Sequence, residues 1–479
     1  MDVKEFRARA HQFVDWMADY MENIEQLPVK APTRPGEILA QLPAAAPNDP
    51  EPMDQIFADF QDIIMPGMTH WQHPGFMAYF PANASPPSIL AEMLTAAVAA
   101  QSMSWQTSPA ATELEERVMD WLRDMIGLPA HFHGVIQDTA STSMLVAFLV
   151  ARERVNDFKT NHVGLSGAGR HCCYAAAEVH SSTDKGVRMA GLGSDNLRKI
   201  AVDENFALIP AELEKAIVAD LAAGHIPTCV VATLGSTSLS SIDPLAAIGA
   251  ICRKYNIWLH VDAAWAGSAL VLPEFRWMID GIEYVDSFVF NPHKWLLTQF
   301  DCSAFFVRDK AALIRTFEIL PEYLKTREGD QVNNYRDWGP QLGRRFRALK
   351  LWFVIRSYGV AGLKDHIRRH IDMTQDLARQ VAQEDDFELM APNPLALFCF
   401  RYHPAGCPED QLEAINEQLL EAINDSGALY LTQTRINGAY AIRLVSGAEA
   451  TQPRHLAEAW ALIKRLARGI TPAALLEEK

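Results

Sequence analysis

The chain begins with a stretch, residues 1–25, in which apolar side chains recur at helical spacing. One stripe is formed by Phe6, Ala10, Phe13, Trp16, Met17, Tyr20 and Met21. The stretch 27–52 contains seven prolines and is predicted to be extended, because proline disfavours helical backbone in the residue before it. A helix that cannot bury its stripe alone, followed by an extended arm, suggests wrapping around a second subunit. Packing on its own chain is the alternative.

From about residue 86 to residue 360, short segments that are apolar throughout alternate with stretches of helical periodicity. The strand candidates are His171–Ala176, Thr228–Thr233, Ile257–Val261, Ser287–Phe290 and Ser303–Val307. The helix candidates include Leu114–Ile126, Pro210–Ala223 and Pro244–Tyr255. This alternation predicts an α/β fold with a mostly parallel sheet sandwiched by helices.

The last part of the chain, residues 365–479, has a different pattern. It carries a long helix, two strand candidates at Ala396–Arg401 and Tyr440–Val445, and a closing helix at 453–468. We therefore predict three parts: an N-terminal helical arm over 1–85 that serves dimerisation, a large domain over 86–364, and a small α+β domain over 365–479.

The composition narrows the classes of partner. The formal charge is −16, which argues against nucleic acid or an anionic membrane surface, because phosphate binding needs a basic face. No window approaches 18 uninterrupted apolar residues, and the N-terminus does not resemble a signal peptide. Seven cysteines show neither a disulfide framework nor a CxxC metal pattern. We expect a cytoplasmic protein with reduced cysteines.

Two apolar segments end in residues that carry chemistry. Lys294 follows the run that starts at Ser287, and Asp262 ends the run that starts at Trp258. This pair is what pyridoxal 5'-phosphate (PLP) requires, because a lysine forms the Schiff base and an acid keeps the pyridine nitrogen protonated. The alternatives are a surface lysine and a helix-capping aspartate.

The phosphate of PLP would need further donors. The hydroxyl-rich segment 137–143 precedes an apolar helix, Met144–Ala151, and could bind the phosphate at a helix N-terminus, although hydroxyl residues also cap many structural helices. Asn291 and His293 flank the lysine and could complete the phosphate site. His180 follows a strand candidate and could stack on the pyridine ring.

Several motifs together resemble the group II PLP-dependent decarboxylases, in their aromatic L-amino-acid decarboxylase branch. They are Asn291-Pro-His-Lys-Trp295, His70-Trp-Gln-His-Pro74, Ala78-Tyr-Phe-Pro81, Ser104-Trp-Gln-Thr-Ser-Pro109, Glu113-Leu-Glu115, Leu259-His-Val-Asp-Ala-Ala264 and Leu342-Gly-Arg-Arg-Phe346. The resemblance runs from about residue 2 to 470. It implies the type I, PLP-dependent transferase-like fold with a seven-stranded sheet, and a homodimer with active sites at the subunit interface.

Residue by residue, the resemblance implies that Lys294 forms the Schiff base and that Asp262 binds the ring nitrogen. It implies that His180 stacks on the ring and faces the substrate carboxylate. Ala264 would lie under the ring, and Thr237 near the cofactor and the substrate carboxylate. The implied phosphate positions are Thr139, Ala140, Ser141, Asn291 and His293.

Tyr323 lies at the start of a polar stretch, 325–334, that is typical of a mobile loop. After CO₂ leaves, the substrate Cα must be protonated, and a phenol on a closing loop can supply the proton. In the family that the chain resembles, tyrosine here accompanies amine production, whereas phenylalanine accompanies oxidative deamination to an aldehyde. A tyrosine that only packs the loop is the alternative.

The resemblance also implies a substrate pocket, formed by Trp71, Tyr79, Phe80 and Pro81, that would bind a flat aromatic ring; the alternative is that these are core aromatics. Ala82 stands where animal dopa enzymes carry a threonine, and Met103 and Gln101 replace an aromatic and an aliphatic residue on the partner-subunit wall. Gly343 lies where plant relatives carry glycine for indoles and serine for phenols. Tryptophan or 5-hydroxytryptophan is favoured, with phenylalanine, tyrosine and dopa as alternatives.

Three rival functions differ from this one in their products or in the residues that they require. An aromatic acetaldehyde synthase would consume oxygen and release ammonia and peroxide. A glutamate decarboxylase would need cationic groups for a distal carboxylate, which the aromatic segment 71–81 does not offer. A non-catalytic binding scaffold would not need Lys294, Asp262 and Tyr323 together. The 15 histidines are scattered, so no metal is predicted.

Overall fold

The computed structural model describes residues 1–319, 327–328 and 331–470. They divide into two compact units. The first comprises Met1–Pro81, Met373–Met390 and the chain from Cys399 onward, and the second comprises Ala82–Asp372 and Ala391–Phe398. The three-part division at residues 85 and 364 stays a prediction.

The regular elements alternate along the second unit and are fewer in the first. The helices are α1 (Val3–Asn23), α2 (Glu37–Gln41), α3 (Met53–Asp59), α4 (Pro86–Val98), α5 (Pro109–Met125), α6 (Ala140–Val155), α7 (Thr160–Val163), α8 (Ser181–Met189), α9 (Pro210–Ala222), α10 (Leu245–Tyr255), α11 (Pro292–Trp295), α12 (Lys310–Phe317), α13 (Ala348–Val381), α14 (Glu409–Asp425) and α15 (Pro453–Arg468). The strands are β1 (His133–Gln137), β2 (His171–Ala176), β3 (Leu197–Ile200), β4 (Ile226–Thr233), β5 (Trp258–Asp262), β6 (Ser287–Phe290), β7 (Ser303–Val307), β8 (Phe387–Leu389), β9 (Leu397–Tyr402), β10 (Thr432–Ile436) and β11 (Ala439–Val445).

The second unit is built on a seven-stranded sheet in the order β1-β7-β6-β5-β4-β2-β3. Neighbours from β6 to β3 are parallel, and β7 is antiparallel to both β6 and β1. Six strands therefore run in one direction, and their carboxyl ends meet at one edge. The predicted α/β fold with a mostly parallel sheet between helices is confirmed.

Two strands of this seven-stranded sheet, β1 and β3, were not among the predicted segments. Both lie at the outer edges of the sheet, where one side of a strand has no neighbour to cover it. Their sequences, His-Gly-Val-Ile-Gln and Leu-Arg-Lys-Ile, accordingly mix polar and apolar residues instead of forming an apolar run. Edge position explains why the apolar-run criterion missed them.

Helix α6 is the central helix of this unit. It packs against β1, β4, β5, β6 and β7, and its apolar side chains form a core cluster with those strands. Because α6 follows β1 directly, its amino end is placed at the edge where the carboxyl ends of the parallel strands meet. The sheet and α6 thus determine the position of the candidate site.

The first unit contains a four-stranded sheet in the order β10-β11-β9-β8, with α14 packed on β11 and on α15. Helix α1 confirms the predicted N-terminal helix, but none of its residues is fully buried. Its stripe packs partly on its own chain, where Phe13 contacts Phe57 with ring centroids 4.6 Å apart. Phe6, at the start of the stripe, remains 61% exposed.

The extended prediction for 27–52 is wrong at one point, because α2 forms inside it. The stretch Gly36–Leu42 contains no proline, and Gly36 precedes the helix with a φ of 90° that favours glycine. Prolines on either side keep this helix to five residues.

In the described ranges, no helix has the length and hydrophobicity that a membrane crossing requires.

Candidate active site

The carboxyl edge of the seven-stranded sheet collects all ten residues that the sequence assigned to the cofactor. They follow five different strands of the second unit, which sequence spacing alone could not have brought together. In order they are Thr139, Ala140 and Ser141 after β1, His180 after β2, Thr237 after β4, Asp262 and Ala264 at the end of β5, and Asn291, His293 and Lys294 after β6. The individual roles stay predictions.

Asp262 is the last residue of β5 and has a parallel strand on each side. It is buried, and it lies beside Thr233 of β4 and Val289 of β6. Its Oδ1 accepts a hydrogen bond from the backbone N–H of Ala264 at 3.0 Å, which orients the carboxylate at the sheet edge. A buried carboxylate held in this way can serve as a fixed partner for a protonated ring nitrogen.

Lys294 lies in the one-turn helix α11 and is half-buried. Two residues of the segment before α4 hold this turn from outside. Asn83 donates twice, from its backbone N–H to the carbonyl of His293 at 3.0 Å and from its side chain to the carbonyl of Lys294. Ser85 donates its hydroxyl to the carbonyl of Leu297 at 2.6 Å. Sequence reasoning missed both residues, because they lie about 210 positions before the lysine.

A pair of tryptophans connects the aspartate segment to the lysine segment. Trp265 follows Asp262 by three residues, Trp295 follows Lys294 directly, and their rings stack with centroids 4.2 Å apart and planes 8° from parallel. Trp295 also donates its indole N–H to Nδ1 of His370, on α13, at 3.0 Å. Both rings are fully buried, so the pair fixes the spacing between the two segments.

His180 begins α8, and its ring orientation follows from its hydrogen bonds. Its Nδ1 accepts from the backbone N–H of Ser182 at 3.2 Å and lies 2.8 Å from the Ser182 hydroxyl. Burial lowers the pKa of His180, Asp262 opposes that shift, and Lys294 adds to it. His180 is exposed at the carboxyl edge of the sheet. Enough protein nevertheless surrounds its ring for burial to determine the direction of the pKa shift. The ring is therefore neutral near pH 7, with its proton on Nε2.

The residues proposed for the phosphate offer donors in the required form. Burial lowers the pKa of His293 to about 3, and its Nδ1 accepts from the backbone N–H of Cys302 at 2.9 Å, so the proton lies on Nε2. Thr139 precedes the first turn of α6 without capping it through its side chain, which leaves the first N–H groups available to a ligand. The side-chain oxygen of Asn291 is buried and has no partner among the described residues, but an oxygen cannot donate to a phosphate, so only the amide nitrogen of Asn291 could contribute. His293 and the first turn of α6 supply the donors that fit a PLP phosphate.

The predicted substrate residues fall into both units. In the first unit, Trp71 and Tyr79 stack with ring centroids 5.8 Å apart, and both are exposed. Phe80 is buried beneath the guanidinium of Arg443, 4.9 Å from the ring centroid, and Pro81 is also buried. The structure thus shows an exposed aromatic pair and places Phe80 and Pro81 in the interior of this unit, and a substrate pocket made of these residues stays a prediction.

The other substrate residues, Ala82, Met103 and Gly343, belong to the second unit. The segments of Met103 and Gly343 are neighbours, because the backbone N–H of Arg344 donates to the Gln101 side chain at 2.6 Å and Ser102 donates back to Arg344 at 3.0 Å. A side chain added at Gly343 would start 3.3 Å from Gln101 Nε2. Any residue larger than glycine at position 343 would therefore occupy the space next to the Gln101 side chain.

Arg344 has a structural role that the sequence did not indicate, because there it was only one residue of a family motif. Its guanidinium binds both oxygens of Glu115 at 2.6 and 3.1 Å, donates to the carbonyl of Ile136 at 2.8 Å, and is buried with its partner. The pair joins α5, the end of β1 and the segment that carries Gly343. The motifs Glu113–Glu115 and Leu342–Phe346 are thus two halves of one contact.

Replacing Arg344 by alanine is expected to lower the free energy of unfolding by about 3–5 kcal/mol, because it leaves the Glu115 carboxylate buried without its partner. Urea unfolding measures the loss. Arg345→Ala, at the exposed neighbouring position, is the matched control and should change stability by less than about 1 kcal/mol. Equal stability of the two variants would contradict the structural role given to Arg344.

Tyr323, predicted to protonate the substrate Cα, lies outside the described residues.

Among the described residues, the side chains whose ligand atoms lie close enough together to hold a metal ion are Cys172, Asp220 and His225. There Arg198 donates to both Asp220 and the Cys172 sulfur, so a cation would meet a fixed positive charge. An ion-pair network explains this cluster.

Comparisons with known proteins agree with the geometry of the site. The family model described as the pyridoxal-dependent decarboxylase conserved domain matches residues 35–403. The phenylacetaldehyde synthase of Arabidopsis thaliana is 42% identical over 474 residues, covering 97% of this chain and 96% of that protein. Tryptophan decarboxylase 2 of Oryza sativa subsp. japonica is 40% identical over 479 residues, covering 97% and 95%. A crystal structure of Oryza sativa TDC with PLP and tryptamine has a TM-score of 0.95 at 37% identity, covering 98% and 99%.

Proposed function

Because this chain belongs to the pyridoxal-dependent decarboxylase family, with PLP as its cofactor, we propose that it decarboxylates an aromatic L-amino acid to the arylalkylamine and CO₂. The observation that carries the proposal is the convergence of Lys294, Asp262 and His180 at the carboxyl edge of one sheet. Tryptophan or 5-hydroxytryptophan is the favoured substrate, and phenylalanine, tyrosine and dopa are the alternatives.

The residues at the sheet edge divide the work of holding the cofactor. Lys294 would hold it covalently, Asp262 would bind its ring nitrogen, and the first turn of α6 with His293 would bind its phosphate. When bound, PLP supplies a conjugated ring that withdraws electrons from the substrate Cα. The stacked tryptophans keep Lys294 and Asp262 at a fixed spacing, which orients the ring for that chemistry.

His180 would act on the substrate as a neutral hydrogen-bond donor. Its proton lies on Nε2, while Nδ1 is occupied by Ser182. A neutral donor can orient the substrate carboxylate without forming a full ion pair, which would have to break as CO₂ leaves. Tyr323 would then donate a proton to the substrate Cα, and a phenol in this position supports amine as the product.

Aromatic selectivity would come from the exposed pair Trp71 and Tyr79, which stack as a flat apolar surface. Ala82 offers no hydroxyl for a catechol, and Gly343 leaves space that a larger ring system could use. Both features support an indole over a phenol. Trp71 and Tyr79 belong to one unit and Ala82 and Gly343 to the other, so each pair is proposed as a selectivity determinant by itself.

Two further properties belong to this proposal. The half-exposed stripe of α1, which its own chain covers only in part, supports a homodimer with active sites at the subunit interface. Sedimentation of the purified protein at a mass near twice 53.4 kDa would agree with it, and a monomer would contradict it.

The acidic composition and reduced cysteines support a cytoplasmic location.

A second candidate function is an aromatic acetaldehyde synthase on the same scaffold. The specific observation in its favour is the 42% identity to the phenylacetaldehyde synthase of Arabidopsis thaliana. Such an enzyme consumes oxygen and releases aldehyde, ammonia and peroxide. Tyr323 argues for the decarboxylase, because the proton it would donate to Cα leads to amine.

A panel of aromatic amino acids tests substrate and product together. With purified holoenzyme we expect amine and CO₂ in equal amounts, no oxygen uptake, and kcat/KM for tryptophan or 5-hydroxytryptophan roughly 10-fold or more above tyrosine and dopa. Amine, peroxide and oxygen are measured in the same samples. A clear preference for a phenol would reject the indole assignment, and stoichiometric peroxide would establish the synthase.

A further inference from the structure

A group of polar side chains lies beneath Asp262 on the same face of β5. Trp258 and His260 precede Asp262 in steps of two residues, so all three side chains leave the same side of the sheet. Ser287 is the neighbour of His260 on β6, and its Oγ lies 2.8 Å from both Trp258 Nε1 and His260 Nδ1. These bonds tie Trp258, Ser287 and His260 together inside the sheet.

The hydrogen bonds of Ser287 favour one assignment of the His260 proton. An indole N–H only donates, so Ser287 Oγ accepts from Trp258, and the arrangement that also uses the Ser287 proton has Oγ donate it to His260 Nδ1. Nδ1 of His260 is then an acceptor, and the proton of the neutral ring lies on Nε2. Burial lowers the pKa of His260 to about 4, although Asp262 opposes the shift, so the ring is neutral near pH 7.

The Nε2–H group of His260 is a buried donor that lacks an acceptor. The residue is fully buried, and no atom of the described residues accepts this proton. The hydroxyl of Thr233 is also buried and without a partner among the described residues. Thr233 is the neighbour of Asp262 on β4, and residues in register on parallel strands point to the same face. Both groups therefore lie on the face of the sheet that carries the Asp262 side chain.

We propose that His260 is a positioning residue for Asp262, joined to its carboxylate by one buried water that Thr233 also contacts. A buried water makes about three hydrogen bonds, and the His260 donor, the Thr233 hydroxyl and one Asp262 oxygen supply three. The other oxygen of Asp262 already accepts the N–H of Ala264. The water and this N–H together keep the carboxylate oriented.

This inference rests on the role proposed above for Asp262, the partner of the PLP ring nitrogen. A carboxylate with two protein-side donors keeps its direction, so the interaction of Asp262 with the ring nitrogen would depend on His260, although His260 itself does not contact the ring. Loss of the His260 donor should weaken cofactor binding and shift the pH at which the absorption of bound PLP changes. Packing alone predicts neither effect.

The experiment compares three variants of the holoenzyme and its reconstituted apoenzyme. His260→Phe removes the donor, and we expect the apparent Kd for PLP to rise roughly 10-fold or more, with a shifted pH titration of the visible absorption. His260→Gln restores an N–H and should recover part of the affinity. His171→Phe makes the same change at a buried histidine at the amino end of β2 and should leave both readouts unchanged.

The outcomes separate this inference from the proposed function. Folded His260→Phe with wild-type Kd and pH titration would overturn it. If His260→Phe does not fold, Thr233→Val removes only the hydroxyl, and we expect roughly a 5-fold rise in Kd; an unchanged Kd would overturn the shared water. Asp262→Asn is measured alongside: a wild-type Kd and pH titration there would remove the proposed role of Asp262 itself.

Discussion

Lys294→Ala is expected to abolish turnover and to remove the visible absorption band of bound PLP. The half-buried amine at the end of β6 is the group that would link to the cofactor, so its loss removes both the attachment and the exchange with substrate. We expect the decarboxylation rate to fall by roughly three orders of magnitude or more. Absorption spectra and CO₂ release, measured on the same preparation, check the two effects.

The control for this variant is Lys215→Ala, which removes an exposed lysine of α9 that pairs with Glu212. It should leave the spectrum and the rate unchanged. Borohydride reduction followed by peptide mapping of the wild-type protein locates the attachment directly. A pyridoxyl adduct on a lysine other than Lys294, or a wild-type spectrum in Lys294→Ala, would refute the assignment of the site.

Asp262→Asn is expected to give the second-largest loss. The amide can still accept the N–H of Ala264 but carries no charge to keep the ring nitrogen protonated. We expect kcat to fall roughly 10²- to 10³-fold, with a smaller change in KM, because the charge acts on the electrons released at Cα. Steady-state kinetics at saturating PLP measure this change separately from weaker cofactor binding.

A buried aspartate at the other end of the same strands is the matched control. Asp286 precedes β6, accepts the backbone N–H of Leu259 at 2.9 Å and pairs with Arg154. Asp286→Asn should lower thermal stability but leave kcat of the folded holoenzyme near wild type. Equal losses of kcat in Asp262→Asn and Asp286→Asn would show that the first variant only disturbs the sheet.

Those parts of the site that depend on local pattern were predictable from sequence. The apolar runs before Asp262 and Lys294 identified β5 and β6, because a strand buried on both faces has no polar alternation. Parallel strands place such ends at one edge, so the pairing of the two residues followed from the fold class. The hydroxyl-rich start of α6 followed from helix-end chemistry.

The supporting contacts could not be predicted, because they join residues far apart in the chain. Asn83 reaches the turn of Lys294, and Arg344 reaches Glu115, across more than 200 positions. Neither contact leaves a periodic signal, since each depends on one side chain meeting a single partner. The edge strands β1 and β3 were missed for a related reason: their mixed polarity reflects a position that only the assembled sheet defines.

The stacked indoles of Trp265 and Trp295 have an optical consequence. Two such rings 4.2 Å apart and nearly parallel share their electronic excitations, and both lie within three residues of a group assigned to the cofactor. Near-ultraviolet circular dichroism of the protein should therefore contain a signal from this tryptophan pair, which adjoins the residues assigned to the cofactor. The chain thus carries an intrinsic, label-free reporter of whether its lysine and aspartate segments are correctly assembled.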